Sequence, residues 1–213
     1  MASHRLAVIG AGNMGSAVLD GALDAGVLTP SDVLVIDPSA STRRRYTDQG
    51  CAAAESLPDP NAAEQLLFAV KPQVFPAVAG QIGALSTSKV VISVMAGLSS
   101  GTMRIALGDQ ARIVRVMPNT PSRIREGMSA IALGDGAHDG DDALAMALFG
   151  AIGRTVRVDE AHMYAVTAVS GSGPAYVFRL AEAMEQAAID VGLEPATARA
   201  LVVQTVRGAG MLL

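Results

Sequence analysis

Short apolar runs alternate with longer segments of mixed polarity through the first half of the chain. The runs have the length of strands, consist mainly of Val, Ile, Leu and Ala, and cover residues 6–9, 33–36, 66–70, 90–94 and 113–117. Strands that read as continuous apolar runs are buried on both faces, which is typical of a parallel sheet covered by helices. Glycine and proline punctuate the segments between them. Helices are predicted there over residues 13–25, 39–49, 72–85 and 99–107.

Strands continue to be predicted after Pro118 and then stop. Residues 129–133 and 155–158 have the pattern of the last strands, and residues 139–152 have the pattern of a helix between them. We therefore predict an α/β fold whose N-terminal, Rossmann-type domain with a parallel sheet covers residues 1–159.

The remainder of the chain, residues 160–213, is compatible with helix almost throughout. Gly192–Pro195 separates two long helical segments, and Ser170–Pro174 interrupts the first of them. Helices with Ala, Met and Leu on several faces cannot bury those faces against one neighbour. We therefore expect a C-terminal, all-helical dimerisation domain that packs against a partner subunit, in a homodimer or a higher homo-oligomer.

The first apolar run leads directly into a Gly-x-Gly-x-x-Gly motif. The segment Ile9, Gly10, Ala11, Gly12, Asn13, Met14 and Gly15 joins a predicted strand to a predicted helix. In a dinucleotide-binding fold the three glycines allow the tight turn, the close approach of a pyrophosphate, and the packing of helix on strand. A glycine-rich turn without a ligand is the alternative. An acidic residue after the second strand, Asp37, follows at the spacing of a ribose-binding carboxylate and favours the dinucleotide site.

Composition and charge exclude several other classes of function. The 213 residues are 50% hydrophobic, which suffices for one core with a smaller appended unit. A net charge of −4 argues against a nucleic-acid partner. The single cysteine, Cys51, and the absence of Cys/His clusters predict neither a disulfide nor a metal site. Without a signal-peptide pattern or a membrane-spanning apolar stretch, we expect a soluble protein of the cytoplasm.

Four further segments stand in a fixed order along the chain. They are residues 69–73 (Ala-Val-Lys-Pro-Gln), 92–97 (Ile-Ser-Val-Met-Ala-Gly), 115–121 (Arg-Val-Met-Pro-Asn-Thr-Pro) and 167–176 (Thr-Ala-Val-Ser-Gly-Ser-Gly-Pro-Ala-Tyr). Together with the glycine motif, they resemble pyrroline-5-carboxylate reductase from the first strand to the last helix. The resemblance implies reduction of 1-pyrroline-5-carboxylate to L-proline, the last step of proline biosynthesis, with a hydride from NADPH or NADH. An iminium accepts hydride readily, so the chain need supply neither a strong general acid nor a metal, and we assign no catalytic residue.

The resemblance also implies which residues bind the cofactor and the substrate. Cofactor contacts are expected from the glycine segment 9–15, from Asp37 and Ser39, and from two strand ends, Ala69, Val70, Lys71 and Pro72 and then Met95, Ala96 and Gly97. Substrate contacts are expected from Glu160, Ser170 and Ser172. Each has a purely structural alternative. Lys71 would be a solvated lysine, Glu160 would complement a helix dipole, and the serines would allow close helix crossing. The turn Pro118–Pro121 is also explained without a ligand.

The choice between NADP and NAD stays open. A carboxylate at Asp37 would repel a 2′-phosphate and favour NAD. Ser39 at the start of the next helix, with one arginine of Arg43–Arg45, would instead accommodate that phosphate.

The family continues beyond Leu213, through a helical segment and a loop that cradles the substrate carboxylate, and no segment of this sequence matches that loop. A chain that ends there is expected to bind the dinucleotide but to show weak or no reductase activity. Two alternatives follow: a nucleotide-binding regulatory protein that has lost catalysis, and another Rossmann oxidoreductase acting on an imine or a β-hydroxyacid. A β-hydroxyacid dehydrogenase would carry a lysine in a later helix, and none follows Lys89.

Overall fold

The structure, a computed structural model, describes residues 4–213. It consists of two compact units, which meet in sequence between Gly171 and Ser172. The predicted domain limit after residue 159 marks the change from strands to helices, and it remains a prediction.

The first unit is built on one sheet of eight strands. They are β1 (His4–Ile9), β2 (Val33–Ile36), β3 (Ala52–Ala54), β4 (Ala63–Phe68), β5 (Lys89–Ser93), β6 (Ala111–Met117), β7 (Gly127–Leu133) and β8 (Gly153–Arg157). Their order in the sheet is β3-β2-β1-β4-β5-β6-β7-β8. The order reverses between β1 and β4, and ligands of open α/β sheets bind at such a reversal, beyond the carboxyl ends of the strands.

Five helices of the first unit connect these strands, and a sixth, short helix follows β8. They are α1 (Asn13–Asp24), α2 (Ala40–Thr47), α3 (Phe75–Ile82), α4 (Ser100–Leu107), α5 (Ala143–Gly150) and α6 (Met163–Val166). Every predicted strand and helix up to residue 158 is present, with limits that differ by a few residues. The predicted helix 72–85 opens as a 3₁₀ turn, Pro72–Val74, before α3 begins.

Two features of the sheet differ from the prediction. The edge strand β3 was not predicted, because three alanines carry no β-branched or aromatic signal. The sheet was expected to be parallel, but β7 runs antiparallel to β6. The connection from Met117 to Gly127 is too short for the crossover that a parallel pair requires. The later strand β8 is again parallel to β7.

Both faces of the central strands are buried, as their continuous apolar runs predict, whereas no residue of β3 or β8 is buried. On β1, Leu6 and Val8 pack into one hydrophobic cluster, with α1 and α5, and Ala7 and Ile9 pack into a second cluster on the opposite face. The strand ends that carry the glycine segment are therefore held rigidly between two layers of helices.

The second unit is a pair of long helices, α7 (Gly173–Asp190) and α8 (Pro195–Leu212). Gly192, with φ of +103°, makes the predicted turn between them. Glu194 caps α8 by accepting hydrogen bonds from the backbone N–H groups of Ala196 and Thr197. Within residues 4–213, no helix combines the length and the apolar character needed to cross a membrane.

Candidate functional site

Two glycines of the motif are required by the packing of the protein itself. Gly10 has φ of +92°, a left-handed conformation, and a Cβ atom there would lie 2.8 Å from Cγ1 of Val70. A Cβ atom at Gly15 would lie 2.0 Å from the carbonyl oxygen of Gly10. Side chains at these positions would push α1 away from β1 and β4, so the turn from strand to helix closes only with glycine.

The packing of the protein does not require glycine at the middle position of the motif, Gly12. Apart from its neighbours along the chain, no described residue has a heavy atom within 4 Å of a Cβ atom built there, and φ of −70° suits any residue. Gly12 is exposed at the N-terminus of α1. A glycine that the fold does not need marks a place where a ligand approaches the backbone, and helix N-termini favour phosphate. The loop therefore fits the pyrophosphate of a dinucleotide.

Asp37 follows β2 but its carboxylate points back into the protein. Oδ2 accepts a hydrogen bond from the backbone N–H of Ala11 (2.9 Å), and Oδ1 accepts one from the N–H of Ser39 (2.9 Å). The residue is only 8% exposed. Asp37 thus ties the glycine loop to the turn after β2, a contact that orders the loop before any ligand arrives.

Ser39 is the N-cap of α2, as predicted, and its hydroxyl accepts a hydrogen bond from the N–H of Thr42. The arginines behind it differ in their contacts. Arg43 donates to the carbonyl oxygens of Asp37 and Pro38, both at 2.8 Å. Arg45 and Tyr46 instead connect α2 to α1, because both contact the carboxylate of Asp20. Burial raises the pKa of Tyr46 to about 12. The side chain of Arg44 is 84% exposed.

The two other predicted cofactor segments lie at the same edge of the sheet. Ala69–Pro72 follows β4, where the N–H of Ala69 donates to the carbonyl of Ile9 (2.9 Å) and Val70 lies against Gly10. Lys71 is exposed and precedes the 3₁₀ turn. Met95–Gly97 follows β5, with Met95 buried and the next two residues exposed. The structure therefore brings the predicted cofactor residues together.

Glu160 lies in a 3₁₀ turn and accepts three hydrogen bonds. They come from the backbone N–H of Ser100 (2.8 Å), the Ser100 hydroxyl (2.5 Å) and the guanidinium of Arg115 (3.0 Å). Burial by itself raises the pKa of Glu160, but the hydrogen bonds from Ser100 and the ion pair with Arg115 outweigh it, so the pKa lies below its ordinary value. The carboxylate thus joins the first turn of α4 to β6.

Ser170 lies in a π-helical turn, Thr167–Gly171, that follows α6. Its hydroxyl donates to the carbonyl of Val166 (3.2 Å), and its carbonyl accepts a hydrogen bond from the side-chain amide of Asn119 (3.1 Å). The interruption predicted at Ser170–Pro174 is therefore a widened turn followed by a new helix. Ser172 is the N-cap of α7 and belongs to the second unit.

Comparison with known proteins identifies the family. A family model described as "Pyrroline-5-carboxylate reductase dimerisation" matches residues 160–213, and one described as "NADP oxidoreductase coenzyme F420-dependent" matches residues 5–97. The pyrroline-5-carboxylate reductase of Haemophilus influenzae is 39% identical, with 98% of this chain and 78% of that protein covered. The chain belongs to the pyrroline-5-carboxylate reductase family.

Solved structures of this family share the fold. The pyrroline-5-carboxylate reductase of Coxiella burnetii superposes with a TM-score of 0.88 at 30% identity, covering 99% of this chain and 79% of that one. The Plasmodium falciparum enzyme, solved with NADP bound, gives a TM-score of 0.83 at 28% identity, covering 100% of this chain and 79% of that one. The predicted family and fold class are confirmed.

The sequence prediction gave no role to three polar residues of this reductase fold, Ser100, Arg115 and Asn119. Arg115 carried the clearest signal, because a charged residue in a predicted buried strand needs a partner. Its partner, Glu160, lies 45 residues away in sequence. Asn119 stood between two prolines in a rigid turn, where only the structure shows what its amide contacts.

Proposed function

We propose that the protein catalyses the NAD(P)H-dependent reduction of 1-pyrroline-5-carboxylate to L-proline, as the last step of proline biosynthesis. The observation that carries the proposal is the open space beside the backbone of Gly12. It lies at the carboxyl ends of the strands, where the strand order reverses between β1 and β4. Membership of the pyrroline-5-carboxylate reductase family specifies the substrate.

The residues at the carboxyl edge of the sheet bind and orient the reactants. When bound, the nicotinamide cofactor supplies a hydride. The reaction would add that hydride to the imine carbon and a proton from solvent to the imine nitrogen, so that the C=N bond becomes the C–N single bond of proline. The chain would contribute positioning: the glycine loop 9–15 would hold the pyrophosphate, and the segments 69–72 and 95–97 would hold the remainder of the cofactor.

Ser170, Ser172 and Glu160 are proposed to serve the substrate end. Ser170 and Ser172 bring hydroxyl groups to the segment between α6 and α7. The oxygens of Glu160 already accept hydrogen bonds from Ser100 and Arg115, so we propose that it acts by fixing the loop that precedes α4.

The proposed cofactor is NADPH or NADH. A carboxylate repels a 2′-phosphate when it faces the ribose, whereas the oxygens of Asp37 face the N–H groups of Ala11 and Ser39. Titrating NADPH and NADH against one preparation measures the preference directly.

Asp37→Asn is expected to weaken NADH and NADPH binding by a similar factor, about tenfold. The amide nitrogen replaces one acceptor oxygen, so either Ala11 or Ser39 loses its partner, and a hydrogen bond to a charged group contributes about 1.5–3 kcal/mol. Dissociation constants from nicotinamide fluorescence give both values. A change in the ratio of the two constants, with one of them unaltered, would instead show direct contact between Asp37 and the ribose.

Steady-state consumption of NADPH in the presence of 1-pyrroline-5-carboxylate tests the proposed reaction, with formation of proline as the second measurement. Parallel assays with a β-hydroxyacid, and with thioproline in the oxidative direction, compare the alternative oxidoreductases. A folded protein that carries the family's substrate loop, binds NADPH and leaves 1-pyrroline-5-carboxylate unchanged contradicts the proposal, whereas weak or no activity is the result expected of a chain that ends at Leu213.

The second unit is proposed to form a homodimer or a higher homo-oligomer. None of the residues of α7 (Gly173–Asp190) is buried. In α8 (Pro195–Leu212), only Ala198 and Val202 are buried. Large apolar side chains are exposed to solvent on both helices, among them Phe178 (60% exposed) and Leu201 (54% exposed). Surfaces of this kind mark association sites, and this segment matches the dimerisation model of the family.

Phe178→Glu is expected to shift the protein towards the monomer, because a charge at an apolar interface loses its hydration without gaining a partner. Light scattering across a concentration series measures the shift. Ile105→Glu is the matched control, since Ile105 is 89% exposed on α4 in the first unit. An unchanged mass for Phe178→Glu, or equal dissociation by both variants, counts against the proposed interface.

We also place the protein in the cytoplasm. Its single cysteine, Cys51, is a buried free thiol, and burial raises the pKa of that thiol, which keeps it unreactive. A chain that folds without a disulfide suits a reducing compartment, and fractionation of cells with an antibody to the protein tests the placement.

A further inference from the structure

The side-chain amide of Asn119 joins three parts of the first unit. Its Oδ1 accepts a hydrogen bond from the backbone N–H of Met128 at the start of β7 (2.9 Å). Its Nδ2 donates to the carbonyl oxygen of Ser170 in the π-helical turn (3.1 Å). The orientation of the amide is determined by these partners, because the reversed amide would place N–H against N–H and oxygen against oxygen.

The π-helical turn lies directly against the end of β6. A Cβ atom at Gly171 would lie 2.4 Å from Cε of Met117, the last residue of that strand. A widened helical turn is a rare conformation that is concentrated at functional sites, and here it receives a hydrogen bond from outside the helix. The packing of Met117 against Gly171 and the hydrogen bond from Asn119 to Ser170 both come from the end of β6 and the residues just after it. The strand end and the π-helical turn are therefore held together.

We propose that Asn119 is a positioning residue, whose amide holds the turn carrying Ser170 at the carboxyl end of β6. The inference rests on the proposed function, since it gives the turn a role at the substrate end of the reductase site. The contact with Met128 anchors the amide, and the contact with Ser170 transmits its position to the turn.

Asn119→Asp separates the two contacts. The carboxylate still accepts from the N–H of Met128, but an oxygen replaces the donor that faces the Ser170 carbonyl. Hydrogen exchange in residues 163–172 should become at least about fivefold faster, as the loss of one hydrogen bond allows, while exchange at Met128 stays unchanged. The kcat for 1-pyrroline-5-carboxylate should fall at least about tenfold, with the Kd of NADPH within about twofold of the wild type.

Two variants complete the experiment. Asn119→Ala removes the donor to Ser170 and also the acceptor for Met128, without adding a charge, so it should show at least the same loss of kcat and covers the case in which Asn119→Asp does not fold. Asn61→Asp is the matched control, because exposed Asn61 uses its side-chain oxygen only to accept from the Thr87 hydroxyl (2.9 Å), a role that aspartate retains. Its exchange and kcat should equal those of the wild type.

The outcomes distinguish the two proposals. A wild-type protein that carries the family's substrate loop and fails to reduce 1-pyrroline-5-carboxylate contradicts the proposed function, and the exchange measurement still tests the link between Asn119 and the turn. A wild-type enzyme that is active, with Asn119→Asp unchanged in either exchange or kcat, overturns the positioning role. So does a variant whose only change is weaker NADPH binding.

Discussion

Gly12→Ala is expected to weaken dinucleotide binding by at least about 100-fold, equivalent to about 2.7 kcal/mol, while the free energy of unfolding stays within about 0.5 kcal/mol of the wild type. Binding and stability should respond separately because no described residue, apart from the neighbours of Gly12 along the chain, lies within 4 Å of a Cβ atom at this position. The backbone there has φ of −70°, so alanine adds no strain. A methyl group at the exposed N-terminus of α1 occupies the space through which the pyrophosphate approaches the backbone.

Two other glycines provide matched controls for this experiment. Gly15→Ala should lose both binding and stability, since its Cβ atom would lie 2.0 Å from the carbonyl oxygen of Gly10. Gly80→Ala lies in an open part of α3 and should bind normally, with stability raised by up to about 1 kcal/mol through helix propensity. Fluorescence titration with NADPH and chemical denaturation measure the two quantities. Normal binding by folded Gly12→Ala would contradict the assigned phosphate site.

Glu160→Gln is expected to lower the free energy of unfolding by about 2–3 kcal/mol at neutral pH, somewhat less than the full cost of breaking a buried ion pair. The amide cannot neutralise Arg115, whose side chain is only 11% exposed, and it keeps one acceptor oxygen for the three donors that Glu160 satisfies. Because the loop before α4 carries Met95–Gly97, weaker cofactor binding should accompany the loss.

The pH dependence of stability tests the same contact. The folded-state pKa of Glu160 lies below its ordinary value, so its contribution is fully present above the unfolded pKa of about 4.3 and is lost as the pH falls through the folded pKa. The difference between wild type and Glu160→Gln should therefore be largest near neutral pH and vanish in acid. Glu55→Gln is the control, because it removes an exposed carboxylate. The side chain of Glu55 is 75% exposed, and its Oε2 lies 3.7 Å from Nη2 of Arg43. A raised KM for 1-pyrroline-5-carboxylate with unchanged stability would show instead that Glu160 contacts the substrate directly.

The hydrophobic pattern was sufficient for most of the first unit. Continuous apolar runs predicted strands buried on both faces, and the glycine motif predicted the turn from β1 to α1. These signals are local, because each depends on residues within one or two turns of helix or one strand. The strand β3 carried no such signal, and the direction of β7 depends on a connection whose 3₁₀ turn, Thr120–Ile124, is recognised only in the structure.

The candidate site, too, was predicted in part from local sequence and in part depends on tertiary contacts. The sequence by itself determined the family, the fold class and the segments that line the edge of the sheet, since glycine, proline and small residues at fixed spacing define the turns there. Only the tertiary structure decided what the polar side chains do. Asp37 turns towards Ala11, Glu160 towards Ser100 and Arg115, and Asn119 towards Ser170. Each of these partners lies far along the chain, and a buried polar group takes whichever partner packing brings within hydrogen-bonding distance.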